Sequence, residues 1–542
     1  SATRVDASQL IEKGRENVLL QSNQFDTTWV NSNTTETSGQ SGYDGTNNAW
    51  LIEKGGFANA RIQQSVSATG VQTFSVYAKA GSLSWISMLI LGSGIPDVWF
   101  DLSNGTIGGN SDNITTKIEA VGNGFYRCSI TYNVSISEVR IYPAEANNST
   151  GAVAGNIYIQ YAQVEQGLVA TPYIETGATT AQAGILENTP RLDYSGGATC
   201  PSLLLEPSRT NLLVQSEYFE ASYWIKSGGS LTSGFVSPDG TSNAYKFVED
   251  TSTGTHILNK NIGAADGNSY TSSVFAKKGE RGYLTLYSGG VFTDSCTFNL
   301  ENGTSINNGT STSKIELISN GWYKCSVTSI NKSRDVYAMV NNGSSGTSGV
   351  VYTGDGTSGV YIYGAQLEQG SYPTSYIPTY GVSQTRAVDV CNKTGATALI
   401  GQSEGTLFLD FVVNDSNIFQ IIYQVRTTGG TNVGQIDFRI QSGNLRVLGN
   451  DGGTAQFNIS AGALVAGTRY KCALRYATND VAFYVNGVLK GSDTNASFSS
   501  STLSQITFNE NGSNFYCNSD VKQALLFKTG LTNTELASLT TI

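Results

Sequence analysis

The 542 residues include a single histidine, His256, so any reaction that passes protons through imidazole must use it. No Gly-x-Ser-x-Gly elbow surrounds it, and no His/Cys run has zinc-ligand spacing. His256 is therefore expected to be structural, and no catalytic or metal-binding residue is assigned. Charge is scarce too: Asp, Glu, Lys and Arg make up 14% of the chain, against about 25% in ordinary globular proteins. The formal net charge is −10 and no Lys/Arg cluster offers a footprint for phosphates, which excludes nucleic acid as the expected partner. No apolar run is long enough to span a bilayer, so membrane insertion is not expected. Stretches rich in Ala, Glu, Lys and Leu are nearly absent, and with them any helix that would open behind a phosphate-cradling Gly loop. Seven cysteines, odd in number and scattered, do not make a disulfide scaffold. The 42 acidic residues make carboxylate pairs unavoidable, so such a pair is weak grounds for glycoside hydrolysis. The chain opens at Ser1 without a methionine, and a segment upstream of it, removed or outside this sequence, is expected.

What the chain does have is 61 Gly, 28 Tyr, 21 Phe and abundant Ser, Thr and Asn. That mixture suits many short strands joined by tight turns. It also has a duplication. Residues 17–29 (NVLLQSNQFDTTW) return as 211–224 (NLLVQSEYFEASYW), aligning Asn17 with Asn211, Phe25 with Phe219 and Trp29 with Trp224. Asp44-Gly45-Thr46 returns at Asp239-Gly240-Thr241, Phe125-Tyr126-Arg127-Cys128 at Trp322-Tyr323-Lys324-Cys325, and the closing run from Tyr158 at Tyr361. Residue 17 meets 211 but residue 158 meets 361, so nine residues have entered the loops while the strands kept their length. Segments such as TFSVYAKAG and FYRCSITY alternate apolar with polar residues, and Asn104-Gly105 and Asn302-Gly303 are hairpin turns.

The expected fold is all-β: three consecutive β-sandwich (jelly-roll) domains, the first two an internal duplication. Boundaries fall at a lead-in segment 1–14, repeat 1 over 15–175, a linker 176–207, repeat 2 over 208–380 and a third sandwich over 381–542. Arg4-Val5-Asp6 returns as Arg191-Leu192-Asp193 and more loosely as Arg386 to Asp389, each ahead of a new domain. This element is expected to dock on a neighbouring domain with its Arg and Asp paired locally. Leu203-Leu204-Leu205 is expected to form a short strand. Near the end, Thr532 and Glu535 make a capping box. Cys128 and Cys325 are repeat equivalents, but Cys296 aligns with Val98, so buried free thiols are expected there; a Cys472–Cys517 pair is left open.

The third domain, through RYKCALRY (469–476), VAFYVNGVLKG (481–491) and KQALLFKTGLTNTELASL (522–539), resembles the concanavalin-A-like, laminin-G-like lectin sandwiches. The repeats look like jelly-roll carbohydrate-binding modules whose first strand carries Asn-Leu-Leu, then Phe, then Trp. The tandem layout, with TPRLDYSGGATCPSLLLEPSRTNLLVQSEYF (189–219) between modules, resembles tail-fibre, head-fibre and other virion surface proteins of tailed bacteriophages. The resemblance implies a structural protein at the virion surface, often a homotrimer, in contact with other virion proteins and contributing to attachment to host-surface glycans. A purely architectural decoration, a capsule depolymerase and a bacterial surface glycan-binding protein are the alternatives. The resemblance also implies a structural calcium held by acidic residues. Ala162-Gln163-Val164 and Ala365-Gln366-Leu367 stand where those carboxylates belong, so no cofactor is expected.

Sugar binding needs accessible aromatic faces beside amide and carboxylate groups. With Phe100 inward, Trp99 is expected to face out, and Trp85, aligned with Tyr283, sits at a strand edge. Trp99, Trp85 and Tyr283 are the glycan-binding candidates. Asn17, Phe25, Trp29, Asn211, Phe219 and Trp224 are expected to be a fold signature, and Glu165 and Glu368, equivalent in the closing strands, to be structural.

Overall fold

The computed structural model describes residues 2–92, 97–109, 115–263, 265–287, 294–330, 334–343, 350–429, 433–509 and 517–542. It is nearly all β, in sandwiches of the jelly-roll type. In repeat 1 one six-stranded sheet runs Thr106–Ile107, Val98–Asp101, Trp85–Leu91, Ile136–Ala144, Arg61–Ala68, Val30–Ser32. The facing sheet runs Thr115–Gly122, Phe125–Asn133, Val71–Ala80, Gly155–Gln166, Ala49–Lys54, Thr34–Gln40. Repeat 2 reproduces both sheets strand for strand, from Thr304–Asn308 to Ile225–Ser227 and from Thr312–Leu317 to Gly229–Phe235. Between the sheets lie the alternating apolar residues: Ile86, Met88, Ile90, Val98, Phe100, Val139 and Ile141 in repeat 1, with counterparts such as Leu284, Leu286, Cys296 and Phe298 in repeat 2.

The repeated first stretch closes each sandwich. Asn17 is fully buried and makes four hydrogen bonds. Its amide donates to the carbonyls of Ala162 and Ile174, and its oxygen accepts from the amides of Leu19 and Val164. Asn211 repeats the set with Ala365, Ile377, Leu213 and Leu367. Phe25 and Trp29 meet at 5.2 Å between ring centroids, as do Phe219 and Trp224, and all four are core residues. Burying a side chain like Phe25 stabilises the domain by roughly 1.5–3 kcal/mol.

The closing strand carries a bulge in both copies, where its pairing with Val71–Ala80 or Ser269–Lys278 slips. Repeat 2 places Gly364 there at φ +53°, whereas repeat 1 places Tyr161 at φ +55°. A bulky residue in the left-handed region costs about 1–2 kcal/mol.

The third sandwich has a six-stranded sheet (Asn392–Lys393, Gln505–Thr507, Gln420–Arg426, Gln435–Gln441, Asn444–Asp451, Thr454–Ala463) against a seven-stranded one. The latter consists of Leu192–Asp193, Ser202–Leu205, Ser519–Phe527, Glu404–Val413, Arg469–Ala477, Val481–Val485 and Val488–Asp493. The Asn486-Gly487 turn, with φ +50° and +80°, joins the last two strands. The helix Asn533–Thr540 opens with the Thr532/Glu535 capping box. All seven cysteines are free thiols, Cys472 and Cys517 included.

Two hairpins from the lead-in and linker weld the domains together. Each lies ahead of one domain in sequence and docks on the next one along. Thr3–Val5 with Ile11–Lys13 precedes repeat 1 but packs on repeat 2, placing Val5 and Ile11 among Phe275, Trp322 and Tyr376. Lys13 extends its ammonium to Asp239 (2.6 Å), Glu217 (3.0 Å) and the Tyr363 hydroxyl (2.9 Å). Burial opposes its charge, but Asp239 and Glu217 hold it protonated well above the ordinary lysine range. Leu192–Asp193 with Ser202–Leu205 precedes repeat 2 and adds to the sheet edge of the third sandwich at Ser519–Phe527.

The local Arg–Asp pairing expected of the recurring Arg-x-Asp element does not occur. Arg4 pairs with Glu12, and Asp193 accepts the amide of Val5. Arg191 reaches Glu206 (2.9 Å) and Asp389, and Arg386 also reaches Glu206 (2.9 Å). A guanidinium takes whichever carboxylate the packing brings to it; of these only Asp389 belongs to the next copy of the element, and Glu206 serves two copies at once.

Asp520 lies in the strand that the second hairpin joins, opposite Leu204. Burial pushes its carboxyl up to about 6. The Asn414 amide opposes that rise, whereas Glu206 and Asp193 add to it. A carboxyl whose value is higher folded than unfolded holds its proton more tightly when folded. Its contribution is therefore present below the ordinary 3.8 and lost as pH rises through about 6. Asp520→Asn is expected to flatten the fall in Tm between pH 4 and 6.5 and to raise Tm at pH 7.5. A variant that keeps the wild-type slope would contradict this.

Candidate functional site

Along Ile136–Ala144 the side chains of Val139 and Ile141 point into the core of repeat 1, and the alternation sends Glu138, Arg140 and Tyr142 to the outer face. The pairing aligns them with outward residues of neighbouring strands. Tyr142 lies opposite Ser87, which faces Trp99; Arg140 lies between Leu89 and Gln63; Glu138 lies beside Ser65. Trp85 closes the edge opposite Asp101.

These polar groups form one ladder. Arg61 Nε donates to Gln63 (2.5 Å), Gln63 Nε2 to Glu138 (3.0 Å), and Arg140 Nε to Glu138 (2.5 Å). The Arg61 guanidinium sits 5.9 Å over the Tyr142 ring. Burial works against the Arg140 charge, but Tyr142 and Glu138 raise its pKa on balance; burial also raises Asp97 at the edge of the face, with Arg140 opposing. Beneath them the Ser87 hydroxyl is fully buried with no hydrogen-bond partner among the described residues. Guanidinium, amide and carboxylate groups held on a rigid sheet beside an indole suit a ligand rich in hydroxyls.

Trp99 faces outward as expected but is not accessible. It is only 6% exposed, and this corrects its standing as a direct sugar contact. Trp85 is half-buried and presents the usable indole. Tyr283 occupies the same place in repeat 2, half-buried, with its hydroxyl accepting from Asn299 (3.2 Å). The Arg61–Gln63–Glu138–Arg140 ladder was missed in sequence, although its signal, the alternation RIQQ and EVRIY, was present.

The matching face of repeat 2 is closed. Ile141 matches Ala338 but Tyr158 matches Tyr361, so six of the nine inserted residues lie in the connection between those strands. That connection brings Val350 onto the face, where it joins Ile257, Tyr287 and Met339 in a buried cluster. The remaining polar groups bond one another: Thr285 to Thr297 (2.9 Å), and Asn341 to Thr285 (2.9 Å).

The other residues of chemical interest are structural. His256 is buried, its ring nitrogens 2.5 and 3.4 Å from the carbonyl oxygens of Gly228 and Tyr352. Glu165 accepts the Thr171 amide (2.8 Å) and Glu368 the Thr374 amide (2.8 Å), tying each closing strand to the Thr-x-Tyr-Ile that follows. Gln163 and Gln366, where the resemblance puts calcium ligands, donate to those glutamates and accept the amides of Ile174 and Ile377. Their oxygens are committed to the backbone, so these residues do not fit a hard cation.

No family model and no curated protein matches the chain. Among solved structures it is similar to the CBM40 of the Ruminococcus gnavus IT-sialidase, at 15% identity over 27% of this chain and 88% of that one, TM-score 0.24. It is similar also to a heptameric SAP-like pentraxin from Limulus polyphemus, at 15% identity over 26% and 70%, TM-score 0.23. Domains LG4-5 of the mouse laminin alpha1 chain match at 12% identity over 56% and 90%, TM-score 0.19. The likeness is one of sandwich fold alone.

Proposed function

We propose that this chain is a non-enzymatic glycan-binding structural protein, with the outer face of repeat 1 as its binding face. One observation carries the proposal: the two copies of that face have diverged in opposite directions. Where Val350 covers it, in repeat 2, the outward positions are Ile257, Tyr287 and Met339; in repeat 1 the same positions are half-buried Arg61 and buried Leu89 and Tyr142. Arg140, Glu138 and Gln63 continue the polar row. Shared ancestry explains the common scaffold, and the ordered arginine–carboxylate–amide ladder beside Trp85 gives a polar ligand groups to bind.

The tandem layout and its resemblance to tailed-phage surface proteins favour a place at the virion surface, as a homotrimeric fibre or appendage in contact with other virion proteins and touching host glycans. The native oligomer on a glycan array and on host cells tests this. Wild type is expected to bind, and Trp85→Ala with Arg140→Ala to weaken binding by about tenfold or more. Failure of the native oligomer to bind either surface sinks the attachment role, and new reducing ends in incubated host polysaccharide would make the protein an enzyme instead.

A further inference from the structure

The edge of repeat 2 beside Asp239 is closed by the first hairpin, with Val5 and Ile11 in its aromatic cluster and Lys13 in its acidic pocket. The same edge of repeat 1 carries no such cover among the described residues. Its cluster is Ala49, Tyr77 and Phe125, flanked by half-buried Tyr43, Tyr158 and Tyr161.

The substitutions between the two edges follow the presence or absence of the hairpin. Of the groups around Lys13, only the aspartate persists in repeat 1, as Asp44. Glu217, Tyr363 and Tyr380 are replaced by Asn23, Gln160 and Gly177, so the lysine socket is dismantled. Three covered positions, Pro238, Phe275 and Gly364, have become Tyr43, Tyr77 and Tyr161. Tyr43 stacks on Tyr77 at 4.5 Å and Tyr161 on Tyr173 at 4.2 Å. The Tyr161 hydroxyl donates to Asp44 (2.7 Å), as the Lys13 ammonium does to Asp239, and accepts from Asn48 (2.8 Å). An uncovered edge needs only polar side chains in ordinary backbone, and nothing about solubility calls for a tyrosine in a bulge where the other copy uses glycine. Strained residues of this kind persist where their side chains are used.

We infer that this tyrosine-lined edge of repeat 1 is a second saccharide site, in which a neutral pyranose packs against Tyr43 and Tyr161, whose rings stand at 87° to one another, while Asp44 and Asn48 take its hydroxyls. It rests on the glycan-binding reading above but uses none of the residues of the outer face. Apolar pyranose faces pack on tyrosine rings, and carboxylate and amide groups beside them select equatorial hydroxyls. Asp44 lies in an exposed turn, its carboxylate ordered by Thr46 and Tyr161.

The test is saturation-transfer NMR and calorimetry on the full chain with maltohexaose, cellohexaose and N-acetylchitohexaose. Tyr161→Gly removes the ring at a position whose backbone suits glycine, and Tyr43→Ala provides a second variant should the first not fold. Either is expected to weaken at least one probe about tenfold or more, with Trp85→Ala/Arg140→Ala leaving that component in place. If a folded Tyr161→Gly or Tyr43→Ala binds every probe as wild type does, or if no probe binds wild type, the second site is overturned. Loss of all binding in Trp85→Ala/Arg140→Ala alone also overturns it while leaving the outer face intact. Loss in the tyrosine variants alone supports this site, and the outer face stands or falls on its own glycan-array test.

Discussion

Glu206→Ala is expected to cost about 3–5 kcal/mol of stability, the range for removing one partner of a buried ion pair. Glu206 is buried between Arg191 and Arg386, and its oxygens also accept the Ser375 amide (2.7 Å) and hydroxyl (2.5 Å). Without it, Arg386 keeps no acid among its ion-pair partners, and Arg191 keeps only Asp389. The loss falls on the junction where both linkers meet repeat 2, so limited proteolysis should release the third domain from the variant before either repeat is cut. Urea unfolding of wild type, Glu206→Gln and Glu206→Ala checks the magnitude, with Gln keeping the bond from the Ser375 amide and losing less. A Glu206→Ala midpoint within error of wild type would refute the network's role. The same group sets an acid limit. Burial would raise its pKa, but Arg386 and Arg191 hold it down at about 2. A depressed carboxyl contributes stability above its unfolded value of 4.5, and that contribution is lost as pH falls toward 2. The junction is therefore expected to loosen at acid pH while Asp520 next to it relaxes, two opposite slopes that separate in the Asp520→Asn background.

Asn211→Ala carries the second large effect, about 3 kcal/mol or more. Four buried backbone groups lose their partner at once: the carbonyls of Ala365 and Ile377 and the amides of Leu213 and Leu367. Each unsatisfied group costs about 1–3 kcal/mol, partly relieved where water enters. Asn17→Ala should act alike on repeat 1. All six tryptophans lie in the repeats, four in the first and two in the second. Indole fluorescence during urea unfolding therefore reports these variants, and a shift worth less than 1 kcal/mol in both would show that the asparagines do not clamp the sandwiches.

Period-two alternation and the duplication made the sandwiches legible, because both are local properties of strands. Alternation correctly sent Phe100 inward and Trp99 outward, but it says nothing of what packs laterally on a sheet's outer surface, and there Trp99 is buried. The cover over the outer face of repeat 2 depends on a six-residue insertion whose packing no local pattern encodes. That the lead-in and linker elements dock was legible, but which domain receives them was not, because the partners of Lys13 lie from 204 to 367 residues downstream. The Tyr161–Gly364 mismatch was visible in the alignment, yet only the backbone angle gives it meaning.

Docking on the next domain but one also sets a schedule for synthesis. Lys13 and Tyr363 are separated by 350 residues, which a ribosome adds in about 20–70 s at 5–20 residues per second. Glu217 and Asp239 are made earlier in that interval, so the socket of Lys13 is completed only when the closing strand of repeat 2 brings Tyr363 to it.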